Sequence, residues 1–196
     1  MKKFLITLTL FCATIFAQNI FTDERDGQEY KIVKIGSQTW MSENLNYNAD
    51  GSKCYDNKTA NCNKYGRLYN WTTANKACPE GWHLPSNDEW TTLTNFVGSS
   101  AGTKLKAASG WNANGNGEDK FGFSALPGGF GNSGDRFGYS ALGYSGFNTV
   151  GHDGIWWSAS EYDSNLAYNR SMYFSYEFVV RDSYIKSGLF SVRCLQ

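Results

Sequence analysis

The densest chemistry in the chain lies in thirteen residues, CPEGWHLPSNDEW, from Cys78 to Trp90. They bring together a thiol, one of the two histidines, two indoles and the run Ser86-Asn87-Asp88-Glu89. For His83 to hold zinc it would need thiol or carboxylate co-ligands, and the sequence has neither an H-E-x-x-H nor a paired C-x-x-C. Packing, or a backbone hydrogen bond in the turn, is the simpler role. Ser86 and Glu89 have the spacing of a capping box, in which the serine side chain accepts from the N–H of Glu89 and the glutamate reaches back to the N–H of Ser86. The segment therefore reads as a turn, Pro79 to Pro85, feeding a helix whose residue Trp90 faces the core.

The better ligand candidate is WNANGNGEDKF, Trp111 to Phe121. Asn112, Asn114 and Asn116, followed by Gly117, repeat the opening of a calcium loop, where alternate oxygens converge on a hard cation. The twelfth position is Phe123, so the bidentate glutamate that closes an EF-hand is missing. Calcium would then depend on Glu118 or Asp119 in another geometry; the competing reading is a plain Asn/Gly turn.

Other catalytic patterns are thin. Neither Gly138-Tyr139-Ser140-Ala141-Leu142 nor Gly143-Tyr144-Ser145-Gly146-Phe147 completes the G-x-S-x-G of a hydrolase elbow. Glu161 and Asp163, after the aromatic run IWWSAS, are the first suspects for a carboxylate pair of the glycosidase kind; acids beside a strand end are more commonly just solvated. The chain has seven tryptophans, and exposed indoles can stack on sugars or anchor partners. Most are expected in the core, with Trp111 and one of Trp156 and Trp157 facing solvent. On a strand that pair must point to opposite sides.

Local patterns suggest the elements that position these residues. EYKIVKIGSQTWMSENLNY alternates around Gly36 as a two-stranded hairpin, and RLYNWTTANKAC carries a short helix into Cys78. Trp90, Leu93, Phe96 and Val97 give a helix over 87–97 one apolar face. From 98 to 154 the chain is rich in Gly, Asn and Ser but too aromatic for a disordered linker, which predicts short strands joined by ordered loops. IWWSAS, RSMYFSYEFVVR and GLFSVRC read as strands. The fold class that follows is one α+β domain, mostly antiparallel.

The chain has 196 residues, 41% of them hydrophobic, which suits a single domain with its own core. Eighteen basic and eighteen acidic residues balance, and no basic block marks a nucleic-acid surface. MKKFLITLTLFCATIFAQ has the basic start, apolar run and small residue of a secretory signal peptide spanning 1–17, too short to span a membrane. Residues 18–25 read as a short linker and 26–196 as the domain. Export makes the protein secreted, periplasmic or cell-surface. Of five cysteines, cleavage removes Cys12; an even number remains, as disulfides require. Cys54, Cys62, Cys78 and Cys194 allow three pairings. Cys54 and Cys62 flank the turn-rich YDNKTAN, which would leave Cys78 to Cys194. In the chain-entropy model the long bridge contributes about 4 to 5 kcal/mol and the short one about 2 to 3.

DGQEYKIVKIGSQTWMSENLNY, CYDNKTANCNKYGRLYNW, ACPEGWHLPSNDEWTTL, FGFSALPGGF, IWWSASE and GLFSVRC, in this order from Asp26 to Cys194, together resemble the Fibrobacter succinogenes major paralogous domain. That family in turn resembles the C-type lectin-like superfamily: WHLPSNDEW is similar to the helix start of sulfatase-modifying factor domains, and SVRC to their closing strand. The resemblance implies a lectin-like fold in which a bridge joins the start of a helix to the last strand, which is Cys78 with Cys194. The calcium- and sugar-binding strings of C-type lectins, E-P-N, Q-P-D and W-N-D, do not occur. The active-site cysteines of the sulfatase-modifying enzymes also have no counterpart, because Cys194 is committed to the fold. The scaffold transfers and neither function does.

The expectation is an exported, non-enzymatic binding module of a bacterial envelope or secretome that recognises glycan or a cell-surface protein through 98–154, with Trp111, Asn112, Asn114, Asn116, Glu118, Asp119 and Trp156 as candidate contacts. The alternatives are a structural adhesion protein without a discrete site and, third, an enzyme using Glu161 and Asp163.

Overall fold

A computed structural model describes residues 19–132 and 146–196. The signal segment 1–17 and the serines of both incomplete elbows lie outside the described residues.

Three antiparallel strands open the fold: β1 (Asn19–Thr22), β2 (Glu29–Ile35) and β3 (Gln38–Met41). The β2–β3 hairpin turns at Gly36, whose φ of 62° suits a residue without a Cβ. β1 corrects the linker reading of 18–25. Its four residues are too few to show strand alternation, but they pair with β2, and Phe21 packs on Trp82 with ring centroids 5.1 Å apart.

The chain then runs through a short 3-10 turn and helix α1 (Thr59–Tyr65), strand β4 (Leu68–Tyr69), helix α2 (Trp71–Ala77) and helix α3 (Asn87–Val97). α3 starts and stops where its sequence signals place it, with the complete Ser86–Glu89 capping box at one end and Gly98 at φ 75° at the other. A one-turn helix, α4 (Ala101–Leu105), lies inside the region expected to hold only strands and loops. β5 (Phe130–Gly131) and β6 (Phe147–Asn148) form a small pair there.

The second large sheet takes β7 (Asp153–Glu161), β8 (Leu166–Tyr173), β9 (Val180–Ile185) and β10 (Phe190–Ser191), with β4, in the order β4-β10-β7-β8-β9. All pairings are antiparallel except β10 with β7.

β7 is the middle strand, and both its faces are covered. On one side Trp156 packs against Trp90 in a cluster with Trp40, Leu93 and Leu105; on the other Trp157 packs against Phe190 and donates to Tyr69 O in a cluster with Ala74 and Met41. The two indoles point to opposite sides as a strand requires. Neither faces solvent, because α3 and the hairpin close one face while α2 and the N-terminal sheet close the other.

Both disulfides form, Cys54–Cys62 and Cys78–Cys194. The second bridge sits beside backbone bonds from His83 N–H to Leu195 O and from Leu195 N–H to His83 O, so the last residues are sewn to the corner before α3. Among the described residues no helix is long and apolar enough to cross a membrane.

Candidate functional site

In the corner from Cys78 to Trp90 the side chains of His83, Ser86 and Glu89 are committed to one another, while Trp90 Nε1 is buried without a hydrogen-bond partner among the described residues. Glu89 Oε2 accepts from the N–H of Ser86 (2.8 Å) and from its hydroxyl (2.9 Å), while Glu89 Oε1 lies 2.8 Å from His83 Nε2. Burial alone would raise the Glu89 carboxyl, but the bonds from Ser86 and His83 outweigh it and hold the group below its usual range. Serine and histidine both address the glutamate and not each other, so there is no nucleophile–base pair.

Behind the corner lies Arg193, fully buried without a carboxylate bonded to it. Its Nε and Nη2 donate to Asn44 Oδ1 at 3.1 and 2.7 Å, and Nη1 donates to Met41 O and Phe123 O at 3.2 and 2.5 Å. Desolvation pushes the guanidinium down to about 9, which still leaves it charged at neutral pH. Five carbonyl-directed donors in a fixed fork make arginine suited to this task.

The loop 111–119 does not converge on a cation. Trp111 is buried, its indole N–H donating to Ala125 O at 3.0 Å and its ring 5.2 Å from the ammonium of Lys106. This corrects the expectation that it faces solvent: the loop folds back over α4, with Gly117 N–H bonded to Ala107 O and Glu118 N–H to Thr103 O, and the indole fills the space beneath. Asn116 Oδ1 accepts from the N–H of Trp111 at 3.0 Å. Asp119 spends both oxygens on Ser124, accepting from its N–H (2.7 Å) and hydroxyl (2.6 Å). Asn112 reaches His152, Asn114 sits at a left-handed turn, and Glu118 is exposed. These are the bonds of an Asn/Gly turn, and among the described residues no three His, Cys, Asp or Glu gather as a metal site.

Trp156 is likewise buried, its N–H donating to Asn44 Oδ1 at 2.8 Å. Glu161 accepts from Lys186 Nζ at 3.0 Å, and Asp163 Oδ1 caps the N–H groups of Asn165 and Leu166. The two acids build a surface turn between β7 and β8.

One pair of outward-facing rings comes from a stretch that reads as strand in the sequence. RSMYFSYEFVVR supplies the end of β8 and the start of β9, and between them 174–179 is a turn. It presents Tyr176 and Phe178, 46% and 56% exposed, as a stacked pair with centroids 5.0 Å apart and planes 27° off parallel. Tyr173 buttresses Tyr176 edge-on at 5.2 Å.

A buried cation holds this turn. Lys106, 3% exposed, donates from Nζ to Tyr173 O (3.1 Å), Phe174 O (3.4 Å) and Tyr176 O (3.1 Å), and desolvation lowers its pKa. α4 backs the same turn so closely that a Cβ on Gly102 would lie 2.7 Å from Phe178 O. Thr103 N–H donates to Glu177 O, and Ser100 Oγ to the Glu177 carboxylate. The 98–119 region thus supports an aromatic surface that another part of the chain supplies. The available sequence signal was Glu177 in the middle of FSYEFVV, a charge set where an uninterrupted central strand would bury its neighbours.

Fold and site define a disulfide-stapled α+β domain with a doubly covered, mostly antiparallel sheet and a braced aromatic turn. Residues 33–196 match the sequence model of the Fibrobacter succinogenes major domain, and the chain belongs to this family. No curated protein and no solved structure matches it.

Proposed function

We propose that this protein is an exported, non-enzymatic binding module of a bacterial envelope or secretome, built on a C-type lectin-like scaffold, which stacks Tyr176 and Phe178 on the rings of a glycan. The observation that carries this reading is two adjacent exposed aromatic rings on a turn whose backbone is already fixed by Lys106. Large rings with few rotatable bonds gain contact area at low entropic cost, and a braced turn reduces that cost further. Among the described residues the other exposed aromatics have structural duties: Phe96 covers the hairpin turn at Gly36 and meets Phe121 edge-on, and Tyr162 packs on Tyr168. Export is supported by the signal-like first seventeen residues and by two disulfides, which persist in oxidising compartments.

Affinity gels and a polysaccharide array with the intact protein, with and without calcium, test the proposal. Retention on at least one polysaccharide is expected, abolished by Tyr176→Ala with Phe178→Ala. Retention unchanged in the double variant, or none on any plant or bacterial polysaccharide, overturns it and favours an adhesion protein with protein partners.

A further inference from the structure

The two disulfides differ in what surrounds their sulfurs. Cys78–Cys194 lies in the apolar core that holds Trp157, with Cys194 wholly buried. Cys54–Cys62 ties the 3-10 turn to α1 nearer the surface, where Cys54 is half-buried and Cys62 is 3% exposed. There a guanidinium meets both sulfurs: Arg67 Nη1 donates to Cys54 Sγ at 3.4 Å and to Cys62 Sγ at 3.3 Å. The rest of the fork holds it in place, Nε donating to Ser52 Oγ at 2.9 Å and Nη2 to Asn48 Oδ1. Among the described ion pairs no carboxylate neutralises Arg67.

A closed disulfide has little use for such a donor, because its neutral sulfurs are weak acceptors. A thiolate has much more, since a hydrogen bond to an ionised acceptor is about twice as strong and a neighbouring arginine stabilises the ionised sulfur. The surroundings carry the same sign. Between residues 53 and 67 the cations Lys53, Lys58, Lys64 and Arg67 outnumber the single acid, Asp56, which lies 3.7 Å from Lys58. An incoming thiolate is attracted by that field.

The segment is also clasped without its bridge. Lys53 N–H donates to Leu68 O at 2.9 Å and Leu68 N–H to Lys53 O at 2.8 Å, and Tyr55 is buried in one apolar cluster with Leu68 and Leu189. The bridge can therefore open while the segment stays docked.

We propose that Cys54–Cys62 is a thiol-exchange site for a small aliphatic thiol. The thiolate attacks the half-buried Cys54 sulfur and forms a mixed disulfide with it; the Cys54–Cys62 bond breaks, and its electron pair leaves on Cys62, beside the Arg67 guanidinium. A second thiol attacks the mixed disulfide, frees Cys54 and departs as the oxidised dimer, and the two thiol protons pass to the two cysteines. A better-stabilised leaving thiolate speeds the first step.

The test is incubation of the intact protein in glutathione buffers of stepped reduced-to-oxidised ratio at about pH 8.5, where an ordinary thiol is half ionised. Acid quenching, alkylation and peptide mass spectrometry then locate the open cysteines. Cys54–Cys62 should open in buffers that leave Cys78–Cys194 closed, with the transient glutathione adduct on Cys54. Arg67→Met should make opening harder, lowering its equilibrium constant about tenfold, the scale of a lost charge-assisted hydrogen bond, or about 30 mV for this two-electron couple. If Arg67 only tightened the closed loop, its loss would make opening easier, so the sign separates the two roles. The inference is overturned if Cys54–Cys62 opens no earlier than Cys78–Cys194, if the adduct forms on Cys62, or if Arg67→Met opens as readily as the parent. The first two readouts use the parent protein and stand even where Arg67→Met fails to fold. None of them involves Tyr176 or Phe178, so the fate of the polysaccharide proposal is read separately.

Discussion

The corner from Cys78 to Trp90 and the turn from Tyr173 to Phe178 both look equipped for chemistry, and each lies near a buried cation, Arg193 next to Cys194 of the corner's disulfide and Lys106 beneath the turn. Arg193 joins Met41 and Asn44 of one stretch to Phe123 of another and closes the middle of the domain. Beneath the turn, Lys106 gathers three carbonyls of a single segment. The corner commits Ser86, His83 and Glu89 to one another, whereas the turn is held through its backbone and the Glu177 carboxylate and leaves two rings unspent. Density of reactive residue types is therefore a poor guide to a site. What matters is which groups remain available once the fold has been satisfied.

The contrast can be broken at its strongest point first. Arg193→Met would strand several buried acceptors at once, and should cost on the order of 4 kcal/mol or prevent folding, measured by urea unfolding. If the loss is under about 1 kcal/mol, Arg193 is not the keystone described. Lys106→Met should cost less, about 2 kcal/mol, because its acceptors lie near the surface where water can replace it. Its effect should also be local, with amide exchange rising across 173–178 and polysaccharide retention weakening. A global loss equal to that of Arg193→Met would erase the distinction between the two cations.

Glu89→Gln sharpens the description of the corner. The carboxyl sits below its unfolded value, so its stabilisation is complete above the ordinary carboxylate range and drains as pH falls through that range and the lowered folded value. The variant should be less stable by about 1 kcal/mol at neutral pH, with the gap closing as pH falls below the ordinary carboxylate range, as read by thermal melts in a pH series. A gap that widens in acid would have the wrong sign. The smallest effect on stability belongs to Tyr176→Ala with Phe178→Ala, within about 0.5 kcal/mol, since both side chains are mostly in water, even though this pair should show the largest loss of binding.

Legibility followed distance along the chain. The α3 cap, the hairpin turn at Gly36 and the entry of α2 into Cys78 were readable because their determinants lie within a few residues of one another. The exposure of Trp111 and Trp156 was not, because burial depends on what covers a residue, and those covers come from α3, α4 and the hairpin. RSMYFSYEFVVR misled for a related reason. Without Gly or Pro to mark a turn, its aromatic and β-branched residues read as one strand, and the break appears only because the carbonyls of 173–176 have an ammonium to bind in place of a ladder.

The sequence alone determined the α+β class, the family, the α3 helix with its cap, and a cysteine set that its resemblance paired correctly. These rest on local propensity and on motifs that recur as strings. Only the tertiary structure decided which indoles are core, which carboxylates are already committed, and that Tyr176 and Phe178 stack as an outward-facing pair. The physical reason is that a polar atom is spent or a ring buried by partners far away in the chain, and those partners are set by packing the whole domain at once.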